Sequence, residues 1–291
     1  MAEDAKRCPQ LYKYRYIDGW RPKGENIHLR FGSEVHQSFW EYDFSRASGI
    51  PHEDALHDVV HNLVNRTWGW DPDPEDHPAA KSKNRWSLIR TVIDYLDQYN
   101  PGDPAETFIL DNGNPAVELS FNFELDLAPK VGDRPYTLCG HLDKVVTFNG
   151  DQYIMDYKTT TRTAGGYFFD QYSPNNQMSL YTVASQVVLG LPVKGVIINA
   201  IQILADSTRC VRGFTYRTED QLREWLYDLD HFLLLMETYA TNEYWPKNDT
   251  ACDKYGGCPF REACSKSPSV REIYLKSKFE KAEPWNPLAT R

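Results

Sequence analysis

The sequence predicts an α+β domain whose core runs helix, three strands, helix, strand, with mixed pairing in the sheet, and three observations predict it. A helical run at residues 34–47 precedes the first strands of the core. Three strand-like runs then follow one another without a helix between them, the last two joined by Asn149-Gly150. A helical run at 175–190 separates them from the apolar stretch KGVIINAIQIL, as a parallel crossover requires.

The elements are justified in order. Ser33 stands before EVHQSFWEYDFSRA as a candidate N-cap. Helical patterns at about 53–69 and 85–99 flank the Pro- and Asp-rich loop DPDPEDHP, and residues 49–104 read as a helical insertion within one domain of 291 residues. AVELSFNFELDL alternates strictly and reads as a half-buried strand. NNQMSLYTVASQVVLG is a helix closed by Gly190, and KGVIINAIQIL a strand buried on both faces. CVRGFTYR is a further strand, and TEDQLREWLYDLDHFLLLMETYA a long helix opened by a Thr218/Gln221 capping box.

The hairpin GHLDKVVTFNGDQYIMDYKTT, residues 140–160, carries charges where core residues are expected. Asn-Gly between alternating apolar residues predicts a two-residue type I′ turn. Phe148 then pairs with Asp151, and the same register sets Asp143 opposite Asp156. Lys158 shares the face of Asp156. Two adjacent carboxylates do not both stay ionised without a compensating charge, which a bound divalent cation would supply. A solvated face is the alternative, since Asp-x-Lys alone is a weak motif that recurs at Asp4-Ala5-Lys6.

Apolar content of 41% and charged content of 25% are those of a globular chain. MAEDAKRC has no apolar signal-like region, and the most apolar stretch, residues 187–205, is broken by Pro192, Lys194, Asn199 and Gln202. A cytoplasmic protein without membrane contact is expected. The net charge of -9 argues against indiscriminate nucleic-acid binding. It leaves room for a local basic groove, and Lys81, Lys83, Arg85, Trp86 and Arg90 interleave cations with an aromatic ring as strand binding requires. A solvated helix start explains the same pattern.

Gly32-x-x-x-His36, Gly140-x-x-Asp143, Asp156-x-Lys158 and Gln177-x-x-x-Tyr181, in this order and in these elements, resemble the PD-(D/E)XK nuclease superfamily in its RecB-like branch. The resemblance runs from Cys8 to Cys264, outside the insertion, and implies the restriction-endonuclease-like αβββαβ fold. It implies that His36, Asp143 and Asp156, with the backbone carbonyl of Tyr157, hold Mg²⁺ or Mn²⁺, and that Lys158 helps activate the attacking water. Gln177 and Tyr181 would support that lysine and contact DNA, or else merely pack on the sheet. Glu118 resembles an acidic residue often found on the first strand, as an outer or second-metal ligand.

A second resemblance lies in the cysteines. Cys8 near one end and Cys252, Cys258 and Cys264 near the other look like the iron-sulfur (4Fe-4S) ligands of AddB-type and CRISPR-adaptation nucleases, with residues 246–268 as a C-terminal module closing on Cys8. The late spacing here is C-x5-C-x5-C in place of the usual C-x2-C-x5-C, so Cys252 departs most from that pattern. Unrelated buried thiols or disulfides are the other readings. Cys139 and Cys210 are expected to be free.

Together these resemblances imply a metal-dependent deoxyribonuclease, an exonuclease acting on DNA ends or single strands, of phage-type or bacterial recombination and repair systems, with room for a helicase or recombination partner. A non-catalytic nucleic-acid-binding subunit, a restriction-type endonuclease and a phosphoesterase for small nucleotides are the alternatives.

Overall fold

The structure is a computed structural model that describes residues 2–99, 102–125, 135–190, 192–253 and 257–283. In chain order it forms α1 (Ala2–Arg7), α2 (Pro9–Tyr12), a π-helical turn (Lys13–Ile17), β1 (Trp20–Pro22), α3 (Ile27–Ala47) and α4 (His52–Arg66). A 3₁₀ turn (Pro78–Lys81), α5 (Arg85–Gln98), β2 (Ala105–Thr107), β3 (Val117–Leu125), β4 (Tyr136–Phe148) and β5 (Asp151–Thr160) follow. Then come α6 (Gly166–Asp170), α7 (Asn176–Leu189), β6 (Gly195–Ile203), β7 (Thr208–Thr215) and α8 (Glu219–Thr241). A 3₁₀ turn (Asp249–Ala251), α9 (Arg261–Ser265), α10 (Pro268–Lys278) and β8 (Phe279–Lys281) complete the order.

The chain divides into two compact units, one built from Asn26–Phe121 and Cys139–Leu222, the other from Met1–Glu25, Asn122–Leu138 and Arg223–Ala289. The first carries the expected core α3-β3-β4-β5-α7-β6. Its sheet has the order β2-β4-β5-β6-β7, with β3 also paired to β4. β5 and β6 are parallel, Asp156 facing Ile198, because α7 crosses between them, whereas β4–β5 and β6–β7 are antiparallel. All nine residues of β6 are buried, as a near-continuous apolar run should be.

α3 presents Phe31, Val35, Phe39 and Tyr42 at helical spacing to Tyr153, Met155 and Tyr157 of β5 and to Ile197 and Ile201 of β6, with Leu88, Val92 and Tyr95 of α5 in the same core. Full burial of one such aliphatic or aromatic side chain contributes about 1.5–3 kcal/mol. The odd-numbered face of β5 is thereby committed to packing. Its even-numbered face, with Asp156 and Lys158, is left for chemistry.

α3 begins at Ile27, not after Ser33, because the Asn26 side chain accepts the Leu29 amide and supplies a stronger start. The expected cap at Ser33 is therefore corrected: Ser33 lies within the helix. The Thr218/Gln221 box is formed in both directions, and Gly190 closes α7 in the left-handed conformation, φ 62°. In the other unit β1 and β8 pair antiparallel, Trp20 facing Lys281. Among the described residues no helix is long and apolar enough to cross a membrane.

Candidate active site

Three strands and two helices of one unit bring the site together. β4 and β5 keep the register that the turn dictates, from Phe148–Asp151 to Lys144–Met155, and Asn149 and Gly150 have the positive φ of a type I′ turn, 52° and 84°. Asp143 and Asp156 are the next positions in that register, beyond its last pair. There the ladder gives way to a side chain: the Tyr157 amide donates to Asp143 Oδ2 at 2.9 Å. Hydrogen-bonded pairs alternate along an antiparallel ladder, so Tyr157, and not Asp156, turns its amide and carbonyl toward β4. The Tyr157 carbonyl faces the same gap as Asp143.

His36 reaches this point from α3. Its Nδ1 lies 3.4 Å from Glu118 Oε1 and 3.5 Å from Asp143 Oδ1, and the ligand atoms of His36, Glu118 and Asp143 all lie within 4.8 Å of one another. Glu118, the second residue of β3, has φ 47°, a left-handed conformation that costs of order 1–3 kcal/mol for a non-glycine residue. Such local departures re-aim side chains next to functional sites.

Asp156 stands apart from that triad and is fully buried. Lys158 Nζ is 2.9 Å from both of its oxygens, but only Oδ1 receives a hydrogen bond; Oδ2 receives none. Lys158 also donates to Gln177 Oε1 at 3.1 Å, and Gln177 Nε2 donates to the Tyr181 hydroxyl at 2.8 Å. The Tyr181 ring meets Phe121 edge-on, centroids 6.4 Å apart. Phe121 in turn lies so close to Gly140 that a Cβ there would stand 2.9 Å from its Cζ. The glycine of Gly140-x-x-Asp143 thus makes room for the ring that backs Tyr181, a long-range contact that no local pattern in β3 announces.

The charges divide unequally. Burial opposes protonation of His36, but Asp143 and Glu118 outweigh it and hold the imidazole up at about 10. Burial likewise works against the ionised Asp143, and His36, Lys158 and the Tyr157 amide overcome it, so that carboxyl lies below its ordinary range. For Asp156 burial wins, with Lys158 opposing and Asp143 reinforcing it, and the carboxyl rises to about 6. Burial lowers Lys158, yet Asp156 and Asp143 more than restore it. Hard oxygen donors from the carboxylates and a backbone carbonyl, with one imidazole, suit Mg²⁺ or Mn²⁺ better than Zn²⁺. The buried Asp156 Oδ2, which receives no hydrogen bond and has the Lys158 ammonium beside it, has room for a cation in the same way.

The expected basic run is split by the fold. Lys81 and Trp86 face solvent. Lys83, expected in an open groove, is 5% exposed; its ammonium donates to Thr159 Oγ1 at 3.2 Å and lies over the Phe31 ring, and burial lowers it to about 8. Arg85 and Arg90 donate to carbonyls, Arg85 to Val64 and Arg90 to Leu204 and Ala205. Arg85 thus holds the last turn of α4 and Arg90 the loop after β6, and only part of each guanidinium remains for a ligand. Trp68, outside the expected set, is exposed beside Arg85.

In the other unit Cys8, Cys258 and Cys264 border one apolar cluster with Leu11, Tyr14, Trp20 and Phe260. Burial raises the Cys258 thiol, and charge on Cys252 and Cys8 adds to the rise against the Phe260 amide. The Asn248 amide donates to Cys8 Sγ at 3.4 Å, and the Cys258 amide to the Cys252 carbonyl at 2.8 Å. All six cysteines are free, so no disulfide competes for them.

Residues 2–265 match the family model of the PD-(D/E)XK nuclease superfamily. The chain is also similar to the crystal structure of a candidate exonuclease from Eubacterium rectale, with 13% identity, a TM-score of 0.45, and 87% of this chain and 88% of that one covered. A second solved structure, that of SSO0001, is 12% identical over 71% of this chain and 84% of that one, with a TM-score of 0.29. A comparison with curated proteins finds no match.

Proposed function

This chain belongs to the PD-(D/E)XK nuclease superfamily, and from that premise we propose that it is a metal-dependent deoxyribonuclease acting from DNA ends, with a structural 4Fe-4S cluster in its other unit. The observation that carries the reading is the convergence of His36, Glu118 and Asp143 beside the pair Asp156–Lys158. A non-catalytic binding subunit has no use for clustered buried carboxylates, which repel phosphate.

His36, Asp143, Asp156 and the Tyr157 carbonyl would hold the catalytic cation, with Glu118 as a further ligand. Mg²⁺ or Mn²⁺ supplies polarisation of the scissile phosphoryl oxygen and a lowered pKa for bound water. His36 must shed its proton to ligate, and Asp143 and Glu118, which hold that proton in the free protein, also make it exchangeable for a metal charge. Lys158 is fixed by Asp156 on one side and Gln177 on the other, with its ammonium available to the charge that develops on phosphate. Tyr181 orients Gln177 and so acts through it.

Cys8, Cys252, Cys258 and Cys264 would hold the iron-sulfur cluster. Its contribution is structural, joining the segment around Cys8 to residues 246–268.

End-labelled linear and circular DNA, single- and double-stranded, incubated with Mg²⁺ or Mn²⁺, test the activity. Release of terminal nucleotides from linear DNA, abolished by EDTA, is expected. Cleavage of circles would overturn action from ends, and metal-independent cleavage would overturn the assigned chemistry.

A further inference from the structure

We propose that Trp68 and Trp86, with the Arg85 guanidinium between them, form a stacking platform for the unpaired bases of a single nucleic-acid strand entering the active site. The proposal rests on the nuclease reading above and adds a substrate class to it. Trp68 is 77% exposed and Trp86 74%, the only exposed tryptophans among the described residues. Arg85 Cζ lies over both rings, 5.0 Å from the Trp68 centroid and 5.7 Å from that of Trp86.

The backbone under both rings is fixed before any ligand arrives. Trp68 follows the last turn of α4, its amide bonded to the Asn65 carbonyl, and the buried Trp70 is tied back by its own amide to Thr67. Gly69 between them takes φ 78°, which fixes the turn. Trp86 is the second residue of α5, whose start is set by a reciprocal Asn84–Ser87 capping box. Arg85 is anchored by its bond to the Val64 carbonyl at 3.1 Å. Two large aromatic rings are thus held in water with only the Arg85 guanidinium over them, at an exposure cost that a flat apolar ligand would reduce.

The surrounding charge selects the kind of ligand. A guanidinium over the rings and the exposed Lys81 nearby in sequence suit a polyanion that carries flat rings. The exposed Asp71, Asp73, Glu75 and Asp76 repel phosphate from the loop after Trp70, so the backbone approaches from the Lys81 side. Lys83, two residues before Arg85, is bonded to Thr159 of β5, whose side chain lies on the face opposite Lys158. This contact fixes the foot of the platform to β5. Bases within a duplex are already stacked on each other and offer no free face, so the platform selects single-stranded DNA or a frayed end.

Fluorescence anisotropy with labelled oligothymidylate and with a duplex of equal length, in metal-free buffer that prevents cleavage, tests the proposal. Replacing both rings, W68A/W86A, should weaken single-strand binding roughly tenfold or more and leave duplex binding within about twofold, while W68F/W86F, which keeps a stacking face, should retain most of the affinity. Hydrolysis of bis(p-nitrophenyl) phosphate with Mn²⁺, a diester too small to reach the platform, should be unchanged in both variants. Unaltered single-strand affinity in W68A/W86A, or an equal loss for duplex, overturns the platform. If the wild-type protein cleaves neither DNA nor the small diester while the single-strand loss persists, the nuclease reading falls and the platform stands.

Discussion

The Tyr157 amide donates to the Asp143 side chain at 2.9 Å, where the β4–β5 ladder would otherwise continue to Leu142. One carboxylate oxygen thereby ends the strand pairing, and its other oxygen is left facing His36. Opening the ladder and placing the ligand are the same event. Asp143→Asn keeps an oxygen for the Tyr157 amide, so the fold should survive, with a melting temperature lowered by the loss of the His36 partner, whereas cleavage should fall by roughly 10²–10³ or more with the lost charge. Parallel melting and cleavage assays check this; a variant that cleaves normally removes Asp143 from the ligand set.

Lys158 is tied to stability as well as to chemistry, because its partner Asp156 is fully buried. Lys158→Ala should abolish cleavage and leave an unpaired buried carboxylate, at a cost of roughly 3 kcal/mol. The cost depends on pH in a definite direction. The Asp156 carboxyl is raised above its unfolded value to about 6 even with the lysine present. Its protonated form is therefore favoured by the fold, and its contribution is complete below about pH 4 and lost as pH rises through the folded value. Without the lysine that value rises further, so Lys158→Ala should melt several degrees below wild type at pH 8 and near it at pH 5. Adding Asp156→Asn should restore the melting temperature and not the activity. Equal destabilisation at both pH values would refute the account.

His36 is held protonated up to about pH 10 by Asp143 and Glu118, against the effect of its burial. A raised imidazole stabilises the fold fully below about pH 6.5, and that contribution disappears as pH climbs through 10. Metal-free protein should therefore lose thermal stability between pH 7 and 10, and His36→Gln should flatten that slope. Metal binding at pH 7.5 should release a proton, visible in titration calorimetry as an enthalpy that depends on the ionisation heat of the buffer. A buffer-independent enthalpy would show that the proton is not exchanged.

These relationships were legible in the sequence to very different depths. Asn149-Gly150 permits few turn geometries, and the turn fixes the register of every later pair, so the approach of Asp143 to Asp156 could be read residue by residue. The start of α3 could not, since Gly32-Ser33 looks like a helix boundary until Asn26 is seen to cap an earlier turn. Lys83 read as part of an exposed basic run because the three residues between the 3₁₀ turn and α5 have no periodicity to separate inward from outward. Phe121 backs Tyr181 through Gly140 across two strands, and nothing local records such a contact. Trp68 lies in a helix end outside the basic run, so its meeting with Arg85 depends on how α4 packs beside α5.

Gly140 supplies a test of that buttress. A side chain at 140 would collide with the Phe121 ring, so Gly140→Val should displace it and loosen Tyr181, Gln177 and then Lys158. The expected result is a kcat lowered about tenfold, in the lower range for a misplaced catalytic group, with little change in metal affinity, because His36 and Asp143 are untouched. Phe121→Ala in the Gly140→Val background removes the collision without restoring the buttress, and should recover stability but not rate. A Gly140→Val protein with normal kcat would leave Phe121 with a packing role alone.

The cysteines should divide four to two. Cys210 sits in β7 opposite Ile201, where burial raises its thiol to about 12 and keeps it inert, and Cys139 is free in β4. Cys8, Cys252, Cys258 and Cys264 belong to the other unit, in which the Gln10 amide bonds to the Pro246 carbonyl and the Asn248 side chain to the Arg7 carbonyl. Those bonds already hold the early segment to the late one, so loss of a cluster should lower stability without releasing the tail outright. Anaerobically purified protein should be brown and contain about four irons per chain. Cys258→Ser should bleach it and lower the melting temperature, while Cys210→Ser should do neither. The two sites lie in separate units, so catalytic metal affinity, measured with Mn²⁺ on the bleached variant, should stay within about threefold of wild type, as expected for independent sites. Stoichiometric zinc in place of iron, or bleaching by Cys210→Ser, would reassign the ligands.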